Sequence, residues 1–332
     1  MSDIESIKQL LDAIPDPLGK GGLIVSGRAA APRLADGRAG LILDVTGLSV
    51  TARDALCAEV EARLKTLPGV REVRIAMTSE KPVRMLIAVA SGKGGVGKST
   101  VSTNLAVALA KAGVRTGLVD ADIYGPSQPR LTASEGKKPV AEGQKLIPVE
   151  TPFGVPLLSM GHLVKPGQAI AWRGPMAGNA LSQLIDAEWA NTQILVADMP
   201  PGTGDVQLSM VQKHKPAGAV IVSTPQDLAL IDAERAIDLF NTADVPIIGI
   251  IENMAGYACP HCGEVSDPFG AGGAEAAAKA MGVPFLGRIP LDMAIRKASD
   301  AGTPPAAGNS PQARAFEEIA AKVAAWISQH GG

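Results

Sequence analysis

The sequence predicts an α/β fold, a doubly wound and mostly parallel sheet that carries a phosphate-binding loop, preceded by a small α+β domain. After residue 83, short apolar runs alternate with helical segments. Several runs are apolar throughout, as strands covered on both faces are. A glycine-rich loop follows the first run and leads into a helix. The predicted strands are residues 85–90, 116–119, 194–197, 219–223, 247–251 and 285–289.

The first part of the chain predicts a separate α+β domain with the element order αββαβ. Its second helix is predicted over residues 52–66, because Leu56, Val60 and Leu64 recur at helical spacing and share one face. A polar segment that contains a proline follows, as is typical of a linker. The predicted boundaries are 1–78 for the α+β domain, 79–84 for the linker and 85–332 for the α/β domain.

Composition and charge narrow the classes of function. The 332-residue chain has a net charge of −2, so we expect no broad attraction to nucleic acid or to an anionic membrane. No run approaches the ~20 apolar residues of a membrane span, and the first residues lack the regions of a signal peptide. With three cysteines, we expect a cytoplasmic protein without a disulfide framework. The apolar face of the final helix, residues 311–329, is expected to pack on the sheet.

The glycine-rich loop matches the pattern GxxxxGK[ST] and predicts a phosphate site. Glycines let backbone N–H groups turn onto phosphate oxygens, which then lie at the start of the following helix. Lys98 is predicted to reach the β- and γ-phosphates, and the Ser99 hydroxyl to bind Mg²⁺. A chance glycine-rich turn is the alternative. The predicted nucleotide-binding residues here are Gly92, Gly94, Gly95, Val96, Gly97, Lys98, Ser99 and Thr100.

A second lysine, Lys93, lies inside this loop. The spacing Lys-Gly-Gly-Val-Gly-Lys resembles the deviant Walker A loop of the MinD, ParA and nitrogenase iron-protein group. In that group the early lysine reaches across a dimer interface to the partner's nucleotide. The resemblance therefore implies a homodimer and a catalytic role for Lys93, whereas a solvated loop lysine is the alternative.

Carboxylates follow two of the predicted strands. Asp120 and Asp122 end one strand at positions i and i+2, and Asp198 ends the apolar run 194–197 as in a Walker B motif. One carboxylate of the first pair can organise the Mg²⁺ water shell and the other can orient the attacking water. Asp198 can hold Mg²⁺ through water. Because aspartate is also common in turns after strands, an Asx-turn is the alternative for each.

The base of the nucleotide is harder to predict. The Asn-Lys-x-Asp segment of GTPases is absent from the sequence, and Asn253 instead follows the strand 247–251. An asparagine side chain can pair with the N6 and ring nitrogens of adenine. The sequence therefore favours ATP, with a plain turn asparagine as the alternative.

Cys259 and Cys262 form a Cys-Pro-His-Cys segment that allows three hypotheses. It is a redox dithiol, a zinc site or half of an iron–sulfur site. Zinc and [4Fe–4S] sites usually need four ligands, and a two-fold dimer would supply four thiolates. Cys57 lies on the apolar face of a predicted helix and is expected to be a core residue. From the residues alone, the three hypotheses remain open.

Six segments together resemble the Mrp/ApbC/Nbp family of P-loop ATPases, which bind and transfer iron–sulfur clusters. The resemblance covers residues 84–330. It implies a homodimer in which Cys259 and Cys262 of both chains bridge a [4Fe–4S] cluster, with ATP bound at the same interface. The segments are 91–100, 120–127, 172–176, 198–208, 252–254 and 259–263.

The resemblance also implies roles for single residues and for partners. Asp122 would position water, and Asp120, Asp198 and Ser99 would serve the Mg²⁺ shell. Iron–sulfur apoproteins and cluster-assembly scaffolds are the implied partners. The first domain resembles the MIP18-like domain of bacterial members, although residues 45–51 lack the cysteine often found there. The competing functions are a ParA/MinD-like switch with zinc or no metal at the cysteines, and a thiol oxidoreductase.

Overall fold

The structure is a computed structural model, and it describes residues 3–19, 21–48, 50–79, 84–143, 145–163, 174–259 and 261–330. The chain divides into two compact units, Met1–Val83 and Arg84–Gly332. The described residues form a hydrophobic core of their own in each unit. Most of the predicted linker, residues 80–83, lies outside the described residues.

The first unit follows the order that the sequence predicts. Strands β1 and β2 are antiparallel, β2 and β3 are parallel, and β2 lies between the other two. Leu56, Val60 and Leu64 are buried, so the predicted helical face is confirmed as the core face. Cys57 is half-buried beside this core, with its Sγ 3.5 Å from Met77 Sδ. The elements are α1 (Asp3–Asp12), β1 (Ala29–Ala35), β2 (Arg38–Asp44), α2 (Val50–Leu64) and β3 (Glu72–Thr78).

The second unit alternates strands and helices along the chain, as predicted. In chain order its elements are β4 (Met85–Ala90), α3 (Lys98–Lys111), β5 (Thr116–Asp120), α4 (Gln128–Leu131), β6 (Val140–Glu142), β7 (Lys145–Ile147), β8 (Leu157–Ser159), α5 (Met160–Leu163), α6 (Gly174–Ile185), β9 (Ile194–Asp198), α7 (Asp205–His214), β10 (Gly218–Ser223), α8 (Asp227–Thr242), β11 (Ile247–Asn253), β12 (Tyr257–Ala258), β13 (Val265–Ser266), α9 (Gly273–Met281), β14 (Phe285–Ile289), α10 (Met293–Asp300), a 3₁₀ turn (Pro305–Ala307) and α11 (Pro311–His330).

Within the described residues, the main sheet of this unit has seven strands in the order β14-β11-β10-β4-β9-β5-β8. Neighbouring strands in it pair in parallel, so the predicted doubly wound α/β sheet is confirmed. The edge strand β8 was not predicted, because three residues are too few to show a hydrophobic period. The short hairpins β6–β7 and β12–β13 lie outside this sheet and were also not predicted.

The sheet is buried on both faces, which explains its continuously apolar strands. Along β4, Leu86 and Ala88 pack in one core, with helices α6 to α9, while Ile87 and Val89 pack in the other, with α3 and α11. The predicted packing of the final helix on the sheet side is confirmed, since its apolar side chains join the second core. Among the described residues, no helix is long and apolar enough to cross a bilayer.

The strand order brings the predicted functional segments to one edge of the sheet. Strand β9 lies between β4 and β5, so the carboxyl ends of all three meet beside the glycine-rich loop. Asp120 and Asp198 are direct partners in the β5–β9 register. Ligands of open α/β sheets bind at such carboxyl ends, and this is where the candidate site lies.

Candidate functional site

The glycine-rich loop runs from the end of β4 to the start of α3 and needs glycine at defined positions. Gly95 and Gly97 have φ angles of +82° and +81°, in the left-handed region that favours glycine. A Cβ on Gly97 would also lie 2.2 Å from Asn253 Nδ2. A Cβ on Gly92 would lie 1.9 Å from the backbone oxygen of Asp232 in α8. These close approaches fix the path of the loop.

A cavity of about 270 Å³ opens beside this loop. Most of the residues predicted to bind nucleotide reach it, as does the predicted catalytic Asp122. Gly92 and Val96 do not line it; Gly92 packs on α8, and Val96 is buried. The described lining residues are Ser91, Lys93, Gly94, Gly95, Gly97, Lys98, Ser99, Thr100, Asp122, Ser127, Leu131 and Pro201.

Lys98 pairs with Asp198 at the base of the cavity. The Lys98 ammonium lies 2.5 Å from Asp198 Oδ1, and both side chains are buried. Ser102 donates to the same oxygen at 2.9 Å, and Gln128 Nε2 donates to the other oxygen at 2.9 Å. Asp198 is therefore anchored through both carboxylate oxygens, and it does not line the cavity. A buried carboxylate requires partners of this kind.

Asp120 is fully buried next to this pair. Ser159 Oγ and the Gln128 N–H donate to Asp120 Oδ2 at 2.8 and 3.1 Å. Burial, and then repulsion from the neighbouring Asp198 carboxylate, raises the pKa of Asp120 to about 7. Like Asp198, Asp120 does not line the cavity. The structure therefore places these two predicted Mg²⁺ residues behind the cavity wall.

Asp122 is the predicted carboxylate that reaches the cavity. The Gly125 N–H donates to Asp122 Oδ1 at 3.2 Å, which fixes the turn after β5. Burial raises the pKa of Asp122, while the nearby Lys98 ammonium lowers it. Lys93, half-buried, and Ser99 line the same cavity. The structure thus brings a carboxylate, a hydroxyl and two lysines to one cavity.

Three polar residues of this site were not predicted from the sequence. Gln128 is fully buried and joins α3 to Asp198, because its Nε2 also donates to the Ser99 carbonyl at 3.1 Å. Ser102 lies one helical turn after Lys98, a spacing that could have indicated it. The Ser127 hydroxyl lines the cavity, buried and without a hydrogen-bond partner among the described residues. No motif marks Gln128, and Ser127 ends the segment 120–127 without a role predicted for it.

Oxygen ligands at the cavity fit a magnesium ion. Ser99 and Asp122 supply a hydroxyl and a carboxylate, which Mg²⁺ prefers, and the unpaired Ser127 hydroxyl faces the same space. Within the described ranges, no group of three or more His, Cys, Asp or Glu residues could hold a metal by itself. The donor set therefore suits a magnesium ion that takes its remaining ligands from phosphate and water.

Asn253 lies at the end of β11 and contacts the loop itself. Its Nδ2 donates to the Val96 carbonyl at 2.8 Å, and the side chain is buried. Asn253 is not among the residues that line the cavity. Its pairing with adenine stays a prediction, while its contact with the loop was not foreseen.

Cys259 and Cys262 lie in the loop of the β12–β13 hairpin. The hairpin pairs Tyr257 with Ser266, and the Cys259 N–H donates to the Glu264 carbonyl at 2.9 Å. Backbone N–H groups of His261 and Cys262, together with the Cys262 thiol, lower the pKa of the Cys259 thiol. Such donors stabilise a thiolate, the form that binds metals. Cys262 is exposed and Cys259 half-exposed, so both are accessible for ligation.

Some predicted segments fall outside the described residues. Pro260, Trp172 and Arg173, the last two from the segment 172–176, belong to this group. Met176 is described and exposed. His261, between the cysteines, is exposed to solvent.

Comparison with known proteins identifies the family. A model of the NUBPL iron-transfer P-loop NTPase family, a ParA-type group, matches residues 82–324. The chain belongs to this family. The iron–sulfur cluster carrier protein of Deinococcus radiodurans is 40% identical over 98% of this chain and 95% of its own length. The mitochondrial iron–sulfur protein required for NADH dehydrogenase in Arabidopsis thaliana is 49% identical over 73% of this chain and 78% of its own.

A solved structure shows the same architecture in a relative. The nucleotide-binding protein of Archaeoglobus fulgidus, in complex with ADP, superposes with a TM-score of 0.59 and 41% identity. The superposition covers 66% of this chain and 86% of the archaeal chain. The second unit therefore has the P-loop NTPase fold of this family.

Proposed function

We propose that the protein is an ATP-hydrolysing iron–sulfur cluster carrier, which takes a [4Fe–4S] cluster as cargo and passes it to apoproteins. The observation that carries this proposal is the pair of accessible cysteines in the β12–β13 hairpin. Cys259 accepts backbone hydrogen bonds within an exposed loop, on the same unit as a P-loop cavity. An iron–sulfur cluster as the cargo is supported by the relatives, which are named iron–sulfur cluster carrier proteins.

The number of thiols favours a homodimer. A [4Fe–4S] cluster is usually held by four thiolates, and the hairpin supplies two. Cys57, the remaining cysteine of the sequence, belongs to the first unit and contacts Met77. Two hairpins related by a two-fold axis would complete the set, and the exposure of Cys262 leaves it free to approach a second copy.

For ATP, we assign roles to the residues of the cavity. Lys98 and the loop N–H groups would bind the phosphates, Lys93 would reach a partner's nucleotide, and Asp122 would orient the attacking water. Ser99 and Asp122 would hold Mg²⁺, which neutralises charge that develops on the phosphates. Asp120 and Asp198, which lie behind the cavity wall, would stabilise the water molecules bound to Mg²⁺. For Asp198 to do so, Lys98 must exchange its carboxylate partner for phosphate.

We propose further that the first unit is a MIP18-like domain with a docking or regulatory role. Its order α1-β1-β2-α2-β3 and its own core support an independent domain. The Deinococcus radiodurans carrier also matches nearly the whole chain, including this unit. The absence of cysteine from residues 45–51 argues against thiol chemistry there.

Anaerobic reconstitution with iron and sulfide tests the cargo. We expect a brown dimer whose iron and sulfide contents correspond to one [4Fe–4S] cluster per two chains. Cys259→Ser and Cys262→Ser should each abolish cluster binding. Cys57→Ser is the matched control and should bind the cluster as the wild type does. A colourless, zinc-loaded protein would instead favour the ParA/MinD-like switch, and insulin reduction without ATP would favour a thiol oxidoreductase.

A further inference from the structure

We propose that the turn between Asn253 and Cys259 connects the nucleotide site to the cysteine hairpin within one chain, with Asn253 as the positioning residue. The proposal deepens the proposed function and rests on it for its biological meaning. Its physical content is narrower: a shift of the phosphate loop should change the environment of Cys259. The contacts at each end of the turn support this proposal.

At the nucleotide end, Asn253 holds the loop by contact and by shape. Its Nδ2 donates to the Val96 carbonyl at 2.8 Å, in a buried position. A Cβ on Gly97 would lie 2.2 Å from the same nitrogen and 3.7 Å from Met254 Cε. Residues 96 and 97 therefore cannot move toward β11 without moving Asn253. Since Gly97 lines the cavity, a phosphate bound there would lie against a residue that Asn253 packs on.

The turn that follows is short and conformationally restricted. Met254 has a φ of +61°, a left-handed conformation that a residue with a side chain rarely adopts. The Ala255 N–H donates to the Ile289 carbonyl at 3.0 Å, and the Leu291 N–H donates to the Gly256 carbonyl at 2.9 Å. These bonds tie the turn to the connection between β14 and α10. A displaced Asn253 must therefore strain or rotate this turn.

At the cysteine end, the turn leads directly into the metal-binding hairpin. Tyr257 begins β12, and Cys259 follows one residue after that strand. A cavity of about 250 Å³ separates Tyr257–Cys259 from residues 290–293. One wall of this cavity is the hairpin, and the other is the connection to which the turn is tied. A change in the turn therefore alters how Cys259 faces residues 290–293.

Alkylation of Cys259 in the cluster-free, full-length protein tests the connection. Iodoacetamide labelling is followed by mass spectrometry with and without saturating Mg-ADP, and Cys57 in the other unit serves as the internal standard. We expect ADP to change the labelling rate of Cys259 by about fivefold or more, the usual lower range of coupling between sites. The rate at Cys57 should not change.

Variants of the turn separate this route from others. Met254→Gly relieves the left-handed strain without touching the cavity, and it should reduce the ADP response of Cys259 to near unity. Asn253→Ala should do the same by releasing Val96. Asp244→Gly is the matched control, because Asp244 has a φ of +55° on an exposed turn outside the route. It should respond to ADP as the wild type does.

The outcomes also separate this inference from the proposed function. Calorimetry first establishes that each variant binds ADP. If Asn253→Ala fails to fold, the labelling of Met254→Gly alone tests the inference. The inference is overturned if the wild-type protein binds ADP and the labelling rate of Cys259 does not change. It is also overturned if Met254→Gly shows the same change in the Cys259 labelling rate as the wild type. Cluster binding can survive either result. If the wild type does not bind ADP, the proposed ATPase fails and the connection fails with it.

Discussion

Replacing Lys98 with methionine should destabilise the second unit as well as abolish phosphate binding. The Lys98 ammonium and the Asp198 carboxylate are 2.5 Å apart, with side-chain exposures of 6% and 0%. Methionine keeps most of the volume of lysine and removes the charge. Asp198 would then remain buried with hydrogen bonds from Ser102 and Gln128 but without a cation.

The cost follows from the burial of the pair. Removing one partner of a buried ion pair typically costs about 3–5 kcal/mol, because the remaining charge stays buried without compensation. Asp120 adds to this cost, since its carboxyl group already repels Asp198 and would lose the attraction of Lys98. Adding Asp198→Asn removes the uncompensated charge, and it should restore about 2 kcal/mol relative to Lys98→Met alone.

Urea unfolding followed by tryptophan fluorescence measures these differences. All three tryptophans of the sequence lie after residue 84, so the signal reports on the second unit alone. Lys111→Met is the matched control on the same helix. Its ammonium forms an exposed pair with Glu317 and also donates to the Gly308 carbonyl and Asn309 Oδ1. Because water can replace these partners at an exposed site, its loss should cost about 1 kcal/mol. Equal unfolding midpoints for Lys98→Met and Lys111→Met would refute the reasoning. Activity lost in Lys98 variants must be corrected for this instability.

Three further predictions concern the carboxylates and the loop. Between pH ~4 and 7, Asp120 stays protonated in the folded state but is ionised in the unfolded state, because its pKa is raised in the folded state. The free energy of unfolding therefore falls as the pH rises through this window, by at most ~1.4 kcal/mol per pH unit. Denaturation of Asp120→Asn at several pH values should show a flatter dependence. Asp198→Asn should lower the pKa of Asp120, as measured by carboxyl ¹³C NMR. Gly97→Ala should weaken ADP binding in calorimetry by about tenfold more than Gly95→Ala; both have positive φ, but Asn253 blocks a Cβ only at Gly97. Equal losses would contradict the Asn253 contact.

The sequence predicts the sheet because its signals are local. Continuous apolar runs mark strands that are covered on both faces, and six of these runs correspond to strands of the main sheet. Strand β8 was missed, since residues 157–159 are too few for a period and are buried by long-range pairing with β5. The strand order that brings β4, β9 and β5 together is a tertiary property, which no local pattern contains.

The candidate site shows the same limit at single residues. The sequence indicates Asp120, Asp122 and Asp198 equally well, because each follows a strand. Their different burial depends on Gln128 and Ser159, which come from elements that the sequence does not connect to them. Of the three carboxylates, Asp122 alone lines the cavity. This difference between them depends on tertiary packing and could not be predicted from the sequence.

Asn253 shows how a short distance along the chain becomes informative only in the folded protein. In the sequence, Asn253 and Cys259 look like independent signals, one for adenine and one for metal. The structure places the Asn253 amide on the Val96 carbonyl and ties the following turn to residues 289–291. A strand end that contacts the phosphate loop thus continues within a few residues into the hairpin with both thiols. Because a constrained turn transmits displacement better than a free loop, chemistry at the cysteines can respond to the nucleotide without a separate switch element.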